Sequence, residues 1–270
     1  MTAFLDLVVA ERRADAAAAR RRDPYLGRSL GDAPPPRRFT LALEQAAGAA
    51  RFAVIAEVKR ISPSGGSLAA AGFDPRAQAL LYAGAGAAAI SVLTEPRHWG
   101  GSFDDLRAIR ATVKVPLLCK DIVVDEYQVW QARAAGADAV LLVAEAIGEA
   151  ELARLVDLVF DLGMEPFVEA HDPTAFGRAV RTRARVVGAN ARDLRDPAVI
   201  DRSRARLLHT FVRPGQLFVA ESGIASAADL AELPARVDGI LVGTALMKAA
   251  HPAVLVRELA QAKRPAATAR

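Results

Sequence analysis

The chain has 270 residues, 52% of them hydrophobic and 24% charged, a balance that supports a large buried core and excludes disorder. Its 35 Lys and Arg against 31 Asp and Glu leave a formal charge of +4. The cations are scattered among acids and form no stripe with aromatics, so nucleic acid is not an expected partner, although the field would also attract an anionic small substrate. The single cysteine, Cys119, excludes an intramolecular disulfide and suits the cytoplasm. No run of roughly 18 uncharged apolar residues is present to enter a membrane.

Residues 4 to 22, rich in Ala, Arg and Glu, predict a helix, which Pro24, Gly27, Gly31 and Pro34-Pro35-Pro36 bring to an end. A second short helix is predicted over Phe39 to Ala47. Residues 1–50 are thus expected to form an N-terminal helical extension, too small for a second domain and packed on the main body. From Phe52 onward short β-branched runs alternate with longer stretches of helical period. The runs are Val54–Val58, Ala88–Val92, Pro116–Cys119, Ala139–Val143, Pro166–Val168, Val186–Ala189, Leu217–Ala220 and Gly239–Val242. Eight units between Val54 and Met247 fill 194 residues, close to the repeat length of a (β/α)8 TIM barrel, which predicts one domain over 1–270. A doubly wound sheet would also have continuous apolar strands, but the first run continues into Glu57-Val58-Lys59 instead of a Gly-x-Gly-x-x-Gly turn.

In a barrel, chemistry belongs where strands end at the βα loops. The predicted tops carry Glu57 and Lys59, Lys120-Asp121, Glu145, Glu169, Asn190 and Arg192, Glu221-Ser222-Gly223, and Gly243-Thr244. Strand ends meet solvent, so some charge is expected there, but seven such ends are more than salt-bridged packing absorbs. The small residues after the seventh and eighth runs suit backbone N–H contact with an anion and predict a phosphorylated small-molecule substrate, although tight left-handed turns use glycine too. Arg60-Ile61-Ser62-Pro63-Ser64-Gly65-Gly66-Ser67 predicts a mobile lid. His98 and His171 lack companions at metal spacing and are expected to be solvated loop residues. Cys119 is expected to pack, and neither a Ser/His/Asp set nor a Cys-x-x-Cys pair is visible, so no metal or other cofactor is expected.

Four segments carry a resemblance over nearly the whole chain: Ile55-Ala56-Glu57-Val58-Lys59-Arg60 with Ser62-Pro63-Ser64-Gly65, Leu118-Cys119-Lys120-Asp121, Val168-Glu169 with Gly188-Ala189-Asn190-Ala191-Arg192-Asp193-Leu194, and Ala220-Glu221-Ser222-Gly223-Ile224. On these the chain resembles the indole-3-glycerol phosphate synthase family. The resemblance implies ring closure of 1-(2-carboxyphenylamino)-1-deoxyribulose 5-phosphate with loss of carbon dioxide and water. It implies Lys120 as general acid, Glu169 as general base, and Lys59 on the substrate carboxylate, with Glu57, Asn190 and Glu221 orienting. Ser62, Pro63, Ser222, Gly223, Gly243 and Thr244 would surround the phosphate, with Arg192 in support. A monomer or a weak homodimer is expected. Three positions depart from the family pattern: Ile122 stands where Phe is common, Ala191 where Asn is frequent, and Thr244 where Ser or Glu is familiar. Loss of an aromatic wall at Ile122 would weaken stacking on the anthranilate ring by about 1 kcal/mol. The alternatives are another phosphate-handling barrel such as phosphoribosylanthranilate isomerase, which would want a Cys base on the first strand, or a class I aldolase using Lys120 as Schiff-base nucleophile. A third is a catalytically silent barrel that serves as a scaffold.

Overall fold

A computed structural model describes residues 3–48, 50–70 and 72–266, so Met1, Thr2 and Ala49 of the expected extension and the C-terminal residues 267–270 lie outside it. The eight apolar runs form strands β1 (Ala53–Val58), β2 (Ala89–Leu93), β3 (Leu117–Lys120), β4 (Ala139–Val143), β5 (Glu165–Ala170), β6 (Val186–Asn190), β7 (Leu217–Glu221) and β8 (Gly239–Val242). Each pairs in parallel with the next, and β1 pairs with both β2 and β8, which closes the barrel. The strands are buried almost end to end because side chains alternate between the barrel interior and the surrounding helices.

Six of the eight strands begin or end one or two residues from where expected, and the sixth and seventh, like the third and fifth, run on into a polar residue. The third strand begins at Leu117 and runs through Lys120, and the fifth spans Glu165–Ala170. An apolar-run criterion stops at charge, whereas the ladder does not: Lys120 pairs with Leu93, Glu169 with Val143, and Asn190 with Glu221. The chemistry-bearing residues are therefore the last rungs of the barrel, held by main-chain hydrogen bonds.

Both predicted N-terminal helices are present, as α1 (Phe4–Arg22) and α2 (Phe39–Ala47). Leu5 and Val8 of α1 and Phe39 and Leu43 of α2 join the main hydrophobic core. At the opposite end of the barrel Asp138 fastens the segment before α2: its carboxylate accepts from the Arg37 N–H at 2.6 Å, the Leu117 N–H at 2.7 Å and the Arg110 guanidinium at 2.6 Å. Burial raises the Asp138 pKa, and these donors oppose that rise.

The crossover helices are α3 (Pro75–Gly84), α4 (Phe103–Thr112), α5 (Glu126–Ala134), α6 (Glu149–Asp161), α7 (Pro173–Arg181) and α8 (Arg204–Leu208); α9 (Thr244–Lys248) and α10 (Pro252–Gln261) follow β8. The connection after β7 uses only a 3-10 segment, Ala227–Glu232. Among the described residues no helix is long and apolar enough to cross a membrane. Capping fixes where α4 starts, since Ser102 Oγ accepts from the Asp105 N–H at 3.0 Å. Ser102→Ala is expected to lower stability by about 1 kcal/mol, read as a lower urea midpoint with an unchanged slope.

Candidate active site

β3, β5, β6 and β7 bring one lysine, two carboxyl groups and an amide together. Lys120 Nζ lies 3.2 Å from Glu169 Oε2 and 3.7 Å from Glu221 Oε2, and Asn190 Nδ2 donates to Glu169 Oε1 at 3.3 Å. On β1 and just beyond it, Glu57 Oε1 and Lys59 Nζ form a second ion pair at 2.8 Å. Glu57, Glu169 and Glu221 are 1–3% exposed. Gly188 on β6 makes the space, since a Cβ there would overlap Glu221 Oε1 and crowd Phe167.

Burial disfavours the Lys120 ammonium, but the charges of Glu169, Glu221 and Glu57 outweigh it and raise its pKa. Burial likewise opposes an ionised Glu169, yet Lys120 and the Asn190 amide hold it below the usual carboxylate range. Glu221 is pushed well above that range, first by burial and then by the neighbouring Glu169 charge. The charge on either carboxyl group disfavours ionisation of the other, so Glu221 holds a proton more readily than Glu169 does. The cluster thus favours an ammonium on Lys120, a carboxylate on Glu169 and the acid form of Glu221, each with a different task available to it.

A cavity of about 490 Å³ adjoins this cluster, lined in part by Lys59, Arg192, Arg202, Gly223, Thr244 and Lys248. Ser222, at φ 65°, is the one non-glycine residue with positive φ among the described residues, and Gly223 follows at φ 75°. Such strain is kept where the surroundings impose it, and here it turns the chain along the cavity wall. Gly243 is glycine for another reason: a Cβ there would collide with Glu57 Oε1 and come within 3.0 Å of Lys59 Nζ. Ser222, Gly223, Gly243 and Thr244 thus meet around one cavity, beside Lys59 and Arg192.

Ser62 and Pro63 are not among the residues lining either cavity. The expected lid is a small hairpin, Ile61–Ser62 paired with Gly66–Ser67, in which Ser62 is buried. It is fastened on both sides. Arg60 forms a two-pronged ion pair with Asp105, and Arg192 donates to Ser64 Oγ at 2.6 Å.

The apolar end of the mouth is formed by Leu93, Trp99, Ile122, Leu141 and Leu194. Trp99 is held by the turn after β2, where the Glu95 carboxylate accepts from the N–H groups of Arg97, His98 and Trp99 at 2.6–3.0 Å. The sequence reading missed Glu95 and Trp99, although an acid two residues beyond β2 was a signal of the kind used at the other tops. It also missed Arg202 and Lys248, which lie well past any strand end and carry no local mark.

Three expectations need correction. His171 is not a solvated loop residue: it is 3% exposed, with Nδ1 3.2 Å from Glu145 and Nε2 3.1 Å from Asp193. His98 is half-buried, its Nε2 2.7 Å from Glu11 Oε2 of α1. Glu145 does not join the ring, because Oε1 accepts from the N–H groups of His171 at 2.7 Å and Asp172 at 3.1 Å, just ahead of α7. Its pKa is pushed up to about 7, mainly by burial.

The family model for indole-3-glycerol phosphate synthase matches residues 5–259. A relative from Parafrankia sp. (strain EAN1pec), named indole-3-glycerol phosphate synthase, is 45% identical over 258 residues, 95% of this chain and 91% of its own length. One of the same name from Leifsonia xyli subsp. xyli is 49% identical over 207 residues, covering 76% of this chain and 79% of its own. A solved chain from Aquifex aeolicus VF5 superposes with a TM-score of 0.61 at 11% identity, covering 84% of this chain and 99% of that one, a likeness of fold alone.

Proposed function

This chain belongs to the indole-3-glycerol phosphate synthase family, and from that premise we propose how its barrel mouth divides the work of the reaction. The protein closes the indole ring of 1-(2-carboxyphenylamino)-1-deoxyribulose 5-phosphate, with loss of carbon dioxide and water, in tryptophan biosynthesis. Lys120 is the general acid: its ammonium protonates the substrate carbonyl oxygen as the aromatic carbon attacks. Lys59 pairs with the substrate carboxylate until it leaves as carbon dioxide. Glu169, ionised beside Lys120, takes the proton lost during dehydration, while Glu221, whose burial favours its acid form, gives a proton to the departing hydroxyl so that it leaves as water, and Asn190 orients it. Glu57 holds Lys59 in place. The observation that carries this division is the Lys120 to Glu169 contact at 3.2 Å, with one partner held protonated and the other held ionised.

The raised Lys120 pKa also argues against the aldolase alternative, because a Schiff-base lysine must be neutral to attack. The isomerase alternative lacks its cysteine base, since β1 offers Glu57. Ile122 does line the pocket, as the sequence comparison with the family pattern anticipates, but Trp99 supplies an aromatic wall from the neighbouring loop. Stacking on the anthranilate ring is thereby retained.

The phosphate is placed against Ser222, Gly223, Gly243 and Thr244, with Arg192, Arg202 and Lys248 supplying charge. Ser62 acts indirectly, by shaping the hairpin that carries Ser64. The chain is proposed to work as a monomer, as one domain over 1–270, in the cytoplasm. Arg202 offers a test that leaves the reacting groups alone. Arg202→Ala is expected to raise KM about tenfold, the size of one charge-assisted contact, with kcat within about threefold. Steady-state indole fluorescence reads both constants. An unchanged KM, or an equal fall in kcat, would remove Arg202 from the phosphate half.

A further inference from the structure

Arg12 lies on α1, 109 residues before the barrel position it touches. It is 5% exposed, and its whole guanidinium is engaged. Nε donates to Asp121 Oδ1 at 2.8 Å, NH2 to Asp121 Oδ2 at 2.7 Å, and NH1 to Asp15 Oδ2 at 2.8 Å. Asp121 directly follows Lys120, and its carboxylate also accepts from Thr94 Oγ1 and from the Ile122 N–H, both at 2.8 Å. The Thr94 N–H in turn donates to the Lys120 carbonyl at 3.0 Å. Asp15 receives both prongs of Arg97, from the turn that carries Trp99. A chain of alternating charges, Arg97, Asp15, Arg12 and Asp121, thus joins the loop after β2 to the end of β3.

We propose that Arg12 is a positioning residue for the reaction: through Asp121 it fixes the backbone that presents Lys120, and through Asp15 and Arg97 it fixes the loop that presents Trp99. The proposal rests on the assignment of Lys120 as general acid. A buried guanidinium gripped from two sides by carboxylates has one low-energy placement, because its planar fork matches them only in register. The two ends of the network meet the two ends of the substrate's reacting part, the carbonyl at Lys120 and the aromatic ring at Trp99. A catalytic group displaced by about an ångström loses on the order of 100-fold in rate. A lysine at position 12 keeps the charge but has no fork, so it separates geometry from charge.

The test compares Arg12→Lys, the paired variant Arg12→Met with Asp121→Asn, and Lys120→Met. The paired variant strands no buried charge and guards against simple unfolding. Both Arg12 variants are expected to remain folded by circular dichroism and to lose about 10- to 100-fold in kcat with KM within a fewfold. The alkaline limb of their kcat profiles is expected at lower pH than in the parent protein, since a Lys120 drawn away from Glu169 and Glu221 gives up its proton more readily. A folded variant of either kind with parental kcat and an unmoved limb would overturn the positioning role. So would a loss of activity that only tracks the unfolded fraction on heating. If Lys120→Met itself retains turnover, the assignment of the acid fails; if it is inactive while both Arg12 variants match the parent, only the positioning role fails.

Discussion

Lys120→Met is expected to abolish indole formation in a barrel that still folds. The lysine is the sole ammonium in contact with Glu169 among the described residues, so no neighbouring donor replaces it at the carbonyl. Loss of a positioned general acid costs on the order of 100- to 10,000-fold in rate. Stability suffers less than the burial of Lys120 suggests. Once the ammonium is gone, Glu169 gains a reason to take up a proton and become neutral, which relieves the cost of an unpaired buried charge. Far-ultraviolet dichroism and the thermal midpoint should therefore remain near those of the parent while fluorescence growth disappears. A scaffold role predicts the opposite pairing, with the charged ring dispensable and every function intact after the substitution.

The same cluster sets the pH dependence of the parent enzyme. Glu169, held below the ordinary carboxylate range by Lys120 and Asn190 despite burial, stays ionised as pH falls past the value at which a free Glu protonates. The acid limb of kcat is thus displaced to lower pH. Lys120, raised by Glu169, Glu221 and Glu57 against the effect of burial, keeps its proton beyond the ordinary lysine range. The alkaline limb moves to higher pH, and a broad plateau separates the two.

Most of this arrangement was legible in the sequence, for a physical reason. A barrel strand is buried on both faces, so its apolar run is continuous, and the charge that ends the run falls at the mouth. That logic reaches Lys120, Glu169, Asn190 and Glu221, and it fails at Glu145, an equally acidic strand end whose carboxylate is taken by the N–H groups before α7. What makes the site work at atomic scale was not legible. Gly188 reads as one more small residue in an apolar strand, and its purpose, clearance for Glu221 on the next strand, exists only once β6 and β7 are paired. Arg12 reads as one of many surface arginines on a helix, and only closure of the fold places it on Asp121. Trp99 belongs to a turn whose shape is set by Glu95, so its position at the mouth has no periodic signature.

Glu169→Gln separates the two halves of the chemistry that Lys120→Met removes together. An amide keeps the size and the contact with Asn190 but cannot accept the proton lost in dehydration, and a fall in kcat on the order of 100- to 1,000-fold is expected with KM little changed. Ring closure and decarboxylation depend on Lys120 and Lys59, which the substitution leaves in place. In a single turnover with carboxyl-labelled substrate, Glu169→Gln is therefore expected to release carbon dioxide well ahead of indole, whereas Lys120→Met releases neither. The residual activity should also carry a shifted alkaline limb. Removing the Glu169 charge takes away the largest influence holding the Lys120 proton, so the limb moves to lower pH. It also lets Glu221 ionise more easily, since Glu169 contributed to its elevation after burial. Coincident release of carbon dioxide and indole in Glu169→Gln would place Glu169 in the closure step and move the dehydration base elsewhere, with Glu221 the nearest carboxyl group able to serve.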